Sequence, residues 1–201
     1  LLLSGVSHDL RTPLTRLKLG LSMLPDRDEA TALESDVDEM QQMLDTFLGF
    51  ARVDATEDSV LTDPVKIAAE AVARAGPDVT LGECRAEGRV SIRPMSVARS
   101  LDNLIGNALR HGTKARVSVD VFEKSVRFSV EDNGPGIPEE RREEAIRPFA
   151  RLDPARNQDK GGSVGLGLSI VRDVARQHGG ALRLAESEDL GGLRVDLVVA
   201  R

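Results

Sequence analysis

The sequence has no tryptophan, no tyrosine, a single cysteine and three histidines. Five phenylalanines are its whole aromatic complement, so it offers no stacking platform for single-stranded nucleic acid. Basic residues are not in surplus either. The 33 acidic and 27 basic side chains leave a net charge of −6, which does not suit a phosphodiester backbone but permits a local phosphate site. Nucleic acid is not an expected partner. The lone thiol, Cys84, cannot close an internal disulfide, so no oxidising compartment is required. No apolar run reaches the roughly 18 residues of a membrane helix, and the first residues lack the basic start of a signal peptide. The opening Leu1-Leu2-Leu3, without methionine, reads as part of a longer chain.

What is present is enough for a core: 201 residues, 40% hydrophobic and 30% charged, or one large domain or two small ones. Leu3, Leu10, Leu14, Leu17, Leu21 and Leu24 follow one another at alternating spacings of three and four, with a gap at Ser7. Beyond Pro25-Asp26-Arg27-Asp28 a second stripe runs through Leu33, Val37, Met40, Leu44, Phe47 and Ala51. This is a helical hairpin with a coiled-coil-like seam. Two narrow seams cannot enclose a core alone, so the pattern predicts a homodimer in which two hairpins form a four-helix bundle.

The acidic stretch from Asp54 to Ser59 separates residues 1–54 from a second unit, 60–201, whose first helix starts at Asp63-Pro64. There the periodicity is mixed. Helices are predicted at 64–75, 95–110, 138–146 and 165–178, and strands at 78–82, 88–93, 115–122, 125–131, 181–187 and 193–199. Alternation on both sides of Glu123-Lys124 predicts an antiparallel hairpin with one buried face. The fold class is α plus α/β: the hairpin, then a layered α/β sandwich.

Four stretches carry chemistry. His8, in Ser7-His8-Asp9-Leu10-Arg11-Thr12-Pro13, shares with Thr12 the helix face turned away from the seam. An isolated exposed histidine is a solvated surface residue. Here Asp9 can hold its tautomer and stabilise the cation formed when a ring nitrogen acts as nucleophile, and Pro13 removes the N–H that would bond the Asp9 carbonyl, bending the helix. Asn103 and Asn107 lie one turn apart on a helix whose Leu101, Leu104, Ile105 and Ala108 face the core, and an amide oxygen can ligate Mg²⁺ without repelling a triphosphate. Asp132-Asn133-Gly134-Pro135-Gly136-Ile137 ends a strand with a carboxylate able to accept from an exocyclic amine. The glycine-rich run from Gly161 to Gly167 opens a helix whose first amides suit an anion. Pro148 to Lys160, with Arg151 and Arg156, reads as a mobile flap before that helix. His178, before Gly179-Gly180, reads as a structural imidazolium at a helix C-terminus.

In this order the stretches resemble the cytoplasmic kinase core of bacterial sensor histidine kinases, most closely the osmosensor-type subgroup. The histidine box is matched by His8 to Pro13, the asparagine box by Asn103 to Gly112, two glycine boxes by Asp132 to Gly136 and Gly165 to Leu168, and a phenylalanine box by Arg147-Pro148-Phe149. The resemblance implies a sandwich of the GHKL (Bergerat) type. It implies ATP and Mg²⁺ as cofactors, with Asn107 on the metal, Asn103, Arg110 and His111 beside the phosphates, and Asp132 on the adenine amine. It places Gly134, Gly136, Ile137, Phe149, Gly165, Leu166 and Gly167 at the nucleotide and Arg156 near the γ-phosphate. Arg110 and His111 depart from the lysine and tyrosine common there. His8 would be the phosphoacceptor, Asp9 its orienting partner and Thr12 the residue placing water for dephosphorylation. The implied partner is a response-regulator receiver domain. The implied setting is the cytoplasmic portion of an inner-membrane sensor, in contact with the membrane only through segments outside this chain. Competing readings are an ATPase of the same superfamily, which would not need the histidine hairpin, and an ATP-binding dimeric scaffold or phosphatase-only module without kinase activity.

Overall fold

The computed structural model describes residues 2–23, 30, 31, 33, 34, 37, 38, 40, 41, 57–86, 88–150 and 165–201, with side chains from residue 12 onward. Helix α1 (Leu2–Ser22) runs unbroken through Pro13. Described residues between Ala30 and Gln41 are also helical, and Lys18 Nζ reaches Asp38 Oδ1 at 2.6 Å, tying the two arms together. The turn around Pro25 lies outside the described residues. Along the seam Leu14 and Leu21 are half-buried and Ala30 and Val37 buried, whereas Leu17 remains 52% exposed and Leu33 and Met40 40%. One copy of the hairpin covers its apolar stripe only in part.

Strand β1 (Val60–Thr62) was not anticipated; too short and exposed to show a period, it directly follows the acidic stretch that ends at Ser59 and pairs antiparallel with β3 (Val90–Ile92). Helix α2 (Pro64–Ala75) starts where predicted, because Asp63 Oδ1 accepts from the Val65 and Lys66 amides and Pro64 needs no partner at the first position. Strand β2 (Val79–Arg85) outruns its predicted end, with a register shift between Leu81 and Cys84. Gly82 allows this: a Cβ there would meet Arg116 Cδ at 2.9 Å. Burial pushes the Cys84 thiol above its ordinary range, as befits an inert packing residue.

Helix α3 (Pro94–His111) crosses to β4 (Ala115–Val121), which pairs parallel with β2 and, through the Glu123-Lys124 turn, antiparallel with β5 (Ser125–Asp132). After α4 (Glu139–Ala145) and α5 (Gly167–Gln177), β6 (Ala181–Glu186) and β7 (Leu193–Ala200) complete a sheet of order β2-β4-β5-β7-β6. Its inner face carries Val117, Val119, Val126, Phe128, Val130, Val195, Leu197 and Val199, and α2, α3 and α5 pack over it with Ile67, Leu101, Ile105 and Val171. Alternation on the strands thus meets 3.6-residue periodicity on the helices in a two-layer α/β sandwich.

The opposite face departs from simple alternation. Ser129, Glu131 and Asp196 are almost fully buried there, because arginines lie across them. Arg116 donates to Glu131 Oε2 at 2.9 Å and also pairs with Asp189, and Arg194 Nε donates to Asp196 Oδ1 at 2.9 Å. Carboxylate neighbours hold both guanidiniums above their ordinary range.

His178 has the structural role expected of it, carried by two hydrogen bonds. Its Nδ1 contacts the Val174 carbonyl at 2.8 Å and its Nε2 accepts from the Arg93 amide at 3.4 Å. A carbonyl can only accept and an amide N–H only donate, so the ring donates from Nδ1, accepts at Nε2 and joins α5 to the start of α3. Among the described residues no helix is long and apolar enough to cross a membrane.

Phe128 is fully buried between partners Val119 and Leu197 on the neighbouring strands. Phe128→Ala should lower stability by about 3–5 kcal/mol, read as a lower urea midpoint with an unchanged slope.

Candidate functional site

The site grows from the C-terminal half of α3. Leu101, Leu104, Ile105 and Ala108 are 0–3% exposed, which turns Asn103 and Asn107 to the helix rim, both half-buried. Arg110 is half-buried one turn further on, and His111, exposed, ends the helix. Gly112 follows, its N–H bonded to the Ala108 carbonyl at 2.7 Å.

At this point the end of β5 arrives. Asn133 Oδ1 accepts from the Thr113 and Lys114 amides at 2.8 and 2.9 Å, and its Nδ2 donates to Thr113 Oγ1 at 3.0 Å. This clip presses the turn onto the end of α3. A Cβ on Gly134 would lie 2.9 Å from the His111 carbonyl oxygen, and one on Gly112 2.7 Å from Asn133 Oδ1. Only glycine permits either approach. Gly136 takes a left-handed φ of 69°. Ile137 packs against the core, with its carbonyl accepting from Arg142 Nε at 3.1 Å.

Asp132 is 4% exposed. Its Oδ1 accepts from the Gly134 and Leu193 amides at 2.8 and 3.1 Å, and its carbonyl from the Gly192 amide at 3.1 Å. Among the described residues Oδ2 carries no hydrogen bond. The loop into β7 is therefore a third wall of the site, which the sequence reading left out. A Cβ on Gly192 would lie 2.4 Å from Asp132 O and Oδ1 and 2.6 Å from Gly134 N. The pair Gly191-Gly192 immediately before a predicted strand was the available signal. The loop is held by Ser187, whose Oγ donates to buried Glu131 Oε1 at 2.9 Å.

A second piece forms where the phenylalanine and second glycine boxes meet. Phe149 N–H donates to the Gly165 carbonyl at 3.0 Å, and a Cβ on Gly165 would strike Ala150 O at 2.7 Å. Phe149 is 62% exposed with φ 64°, and Gly165 has φ 70°. The two ends of segment 151–164 are thereby joined; Arg156 and most of the predicted flap lie outside the described residues. Helix α5 starts at Gly167 after buried Leu166, which supplies no side-chain cap to the first amides, and it packs on α3. Backbone places His8 and Thr12 one turn apart on α1, Thr12 being exposed; the side chains of His8 and Asp9 lie outside the described residues.

Residues 1–56 match the His Kinase A (phospho-acceptor) domain, and residues 92–200 match the family of histidine kinase-, DNA gyrase B- and HSP90-like ATPases. The chain belongs to the histidine kinase family. All of this kinase segment aligns with the sensor histidine kinase GtrS of Pseudomonas aeruginosa at 34% identity, covering 41% of that protein. It is 36% identical to the sensor protein RstB of Escherichia coli over 96% of its own length and 47% of RstB. The segment spans less than half of these relatives. The histidine kinase domain of the E. coli osmosensor EnvZ superposes with a TM-score of 0.54 at 30% identity, covering 72% of this chain and 90% of that one. The fold of full-length ShkA matches with a TM-score of 0.68 at 23% identity, over 98% of this chain and 45% of that one.

Gly192 and Gly106 give opposite expectations. Gly192→Ala forces a methyl into backbone on both sides, so it should cost about 1–3 kcal/mol or more and weaken nucleotide binding by disturbing Asp132. Gly106, inside α3 with nothing within 4 Å of its Cβ position, should gain about 0.5–1 kcal/mol on substitution by alanine. Urea denaturation of both variants, with titration of ATP into Gly192→Ala, checks the pair.

Proposed function

We propose that this chain is the kinase core of a two-component sensor. On this reading residues 1–54 are the dimerisation and phosphotransfer hairpin and 60–201 the catalytic ATP-binding domain. The observation that carries it is the pinned Asp132 carboxylate beside the asparagine helix. With Oδ1 held by two backbone amides, Oδ2 is left to accept from the exocyclic amine of adenine. Gly134 and Gly136 let the flat ring approach the backbone, beside Ile137. The phosphates then run toward Asn103, Asn107, Arg110 and His111 on α3 and the uncapped amides of α5, where charge and dipole favour an anion.

Among the described residues no cluster of three or more His, Cys, Asp or Glu could hold a metal. The donor set instead fits an ion arriving on phosphate oxygens: Asn107, half-buried on α3, adds an amide oxygen of the kind Mg²⁺ accepts. When bound there, Mg²⁺ would neutralise part of the triphosphate charge.

A ring nitrogen of His8 attacks the γ-phosphorus in line, the N–P bond forms as the bond to the β-phosphate oxygen breaks, and ADP leaves. Asp9 holds the other ring nitrogen and stabilises the developing cation. Arg156 is assigned to the γ-phosphate. The labile phosphohistidine passes its group to an aspartate of a response regulator, and Thr12, one turn from His8, positions water for hydrolysis of the aspartyl phosphate, which releases inorganic phosphate. The half-covered seam, with Leu17 52% exposed, supports pairing of two hairpins in a homodimer. In the full-length protein this segment is the cytoplasmic portion of a membrane sensor.

Incubation with γ-labelled ATP and Mg²⁺ should give an acid-labile, alkali-stable label on the parent chain and none on His8→Ala. ATP binding without label would favour the scaffold or phosphatase reading. Thr12→Ala should keep the label but lose dephosphorylation of the regulator; equal loss of both activities refutes the division of labour.

A further inference from the structure

We propose that Glu57 is a positioning residue for phosphoryl transfer, a latch that fastens the linker to the asparagine-bearing helix and sets where the chain between hairpin and catalytic domain begins to pivot. This rests on the kinase reading above.

The N-terminus of α3 has no side-chain cap from its own preceding residue, Arg93, and Pro94 has no N–H to satisfy. The Val97 amide donates to the Arg93 carbonyl at 3.1 Å. Two first-turn donors remain, on Met95 and Ser96, and both go to one carboxylate from 38 and 39 residues earlier: Met95 N to Glu57 Oε1 at 2.6 Å and Ser96 N to Glu57 Oε2 at 2.8 Å. The Ser96 hydroxyl adds a third bond, to Glu57 Oε2 at 2.7 Å. A cap normally supplied by the preceding residue is thus supplied by the linker, with its negative charge at the positive end of the helix.

The position follows from strand register. Val60 pairs with Ile92 and Leu61 with Ser91; continued backwards, the same antiparallel register brings residue 57 opposite residue 95. Among the described residues, the β1–β3 pairing is what else fastens this segment, with little apolar burial. Val60 is 49% and Leu61 69% exposed, and a cavity of about 320 Å³, lined by Ser59, Ser91, Arg93, Gln177 and His178 among others, lies alongside it. With so little apolar burial to retain β1, the three bonds to Glu57 decide whether residues 57–62 belong to the catalytic domain or to the tether. Freed up to the Asp63 cap of α2, those residues add roughly 20 Å of extended reach. A longer tether dilutes the ATP site around His8 and relaxes its orientation, without touching the groups that bind the nucleotide.

The test uses the whole chain with Glu57→Ala and Glu57→Gln, the second keeping size and one acceptor oxygen. Hydrogen exchange should accelerate by roughly tenfold or more at the amides of 60–62, 95 and 96 in Glu57→Ala. Its affinity for Mg-ATP should stay within about twofold of the parent, while phosphorylation of His8 at saturating Mg-ATP slows by roughly fivefold or more. Glu57→Gln should fall between, and it carries the test if the alanine variant does not fold. Faster exchange with an unchanged phosphorylation rate overturns the positioning role. A loss of ATP affinity in step with the rate does so too, by placing the defect in α3 itself. Unchanged exchange on a phosphorylating parent overturns the latch, whereas a parent that never labels His8 overturns the kinase reading and the positioning role together.

Discussion

The site depends on how closely three pieces of backbone approach one another at Asp132. The end of α3, the turn after β5 and the loop into β7 converge so tightly that Gly112, Gly134 and Gly192 each leave no room for a side chain. Packing of this kind costs conformational entropy at every glycine. It is retained by polar closure: the Asn133 clip on one side, the amides of Gly134 and Leu193 on Asp132 Oδ1 on the other. A buried carboxylate is tolerated because backbone donors meet it, and those donors also set the direction of its remaining oxygen. The direction of that remaining oxygen is therefore a by-product of satisfying a buried carboxylate.

The same logic orders the sheet's second face. No helix covers it among the described residues, yet Glu131 is 6% exposed and Asp196 9%. Arginines laid along the strands shield these carboxylates while keeping their own charge near water. Glu131 serves two functions in this arrangement. It pairs with Arg116 and accepts from Ser187, whose loop contributes Gly192 to the site. The polar face and the ligand pocket are mechanically one piece.

Much of this was legible from residue order. The helices at 64–75 and 95–110 and the 115–131 hairpin announced themselves by period and by turn chemistry, and the asparagines could be set on a rim because their neighbours were apolar at helical spacing. What escaped depends on partners distant in sequence. Strand β1 has no amphipathic signature and exists through pairing with β3. The burial of Ser129 and Glu131 needs arginines from adjacent strands. Gly192 looks like any turn glycine until Asp132 is seen 2.4 Å from its absent Cβ. His178 sits at a helix end in the sequence, but the bond that gives it its structural role comes from an amide 85 residues away.

That imidazole shows how α3 and α5 are joined. At the site, α3 presents its C-terminal half and α5 its N-terminus. At the rear their other ends meet, where His178 bonds the Val174 carbonyl and the Arg93 amide together. Both ring nitrogens are committed, one to each helix. The rear junction also carries Glu57 on the next residues of α3. Helices α3 and α5 pack on each other, so the pair spans from the Glu57 junction to the end of α3 beside Asp132. The contacts from Glu57 and His178 thus seat the front of the same helix whose other half presents Asn103 and Asn107.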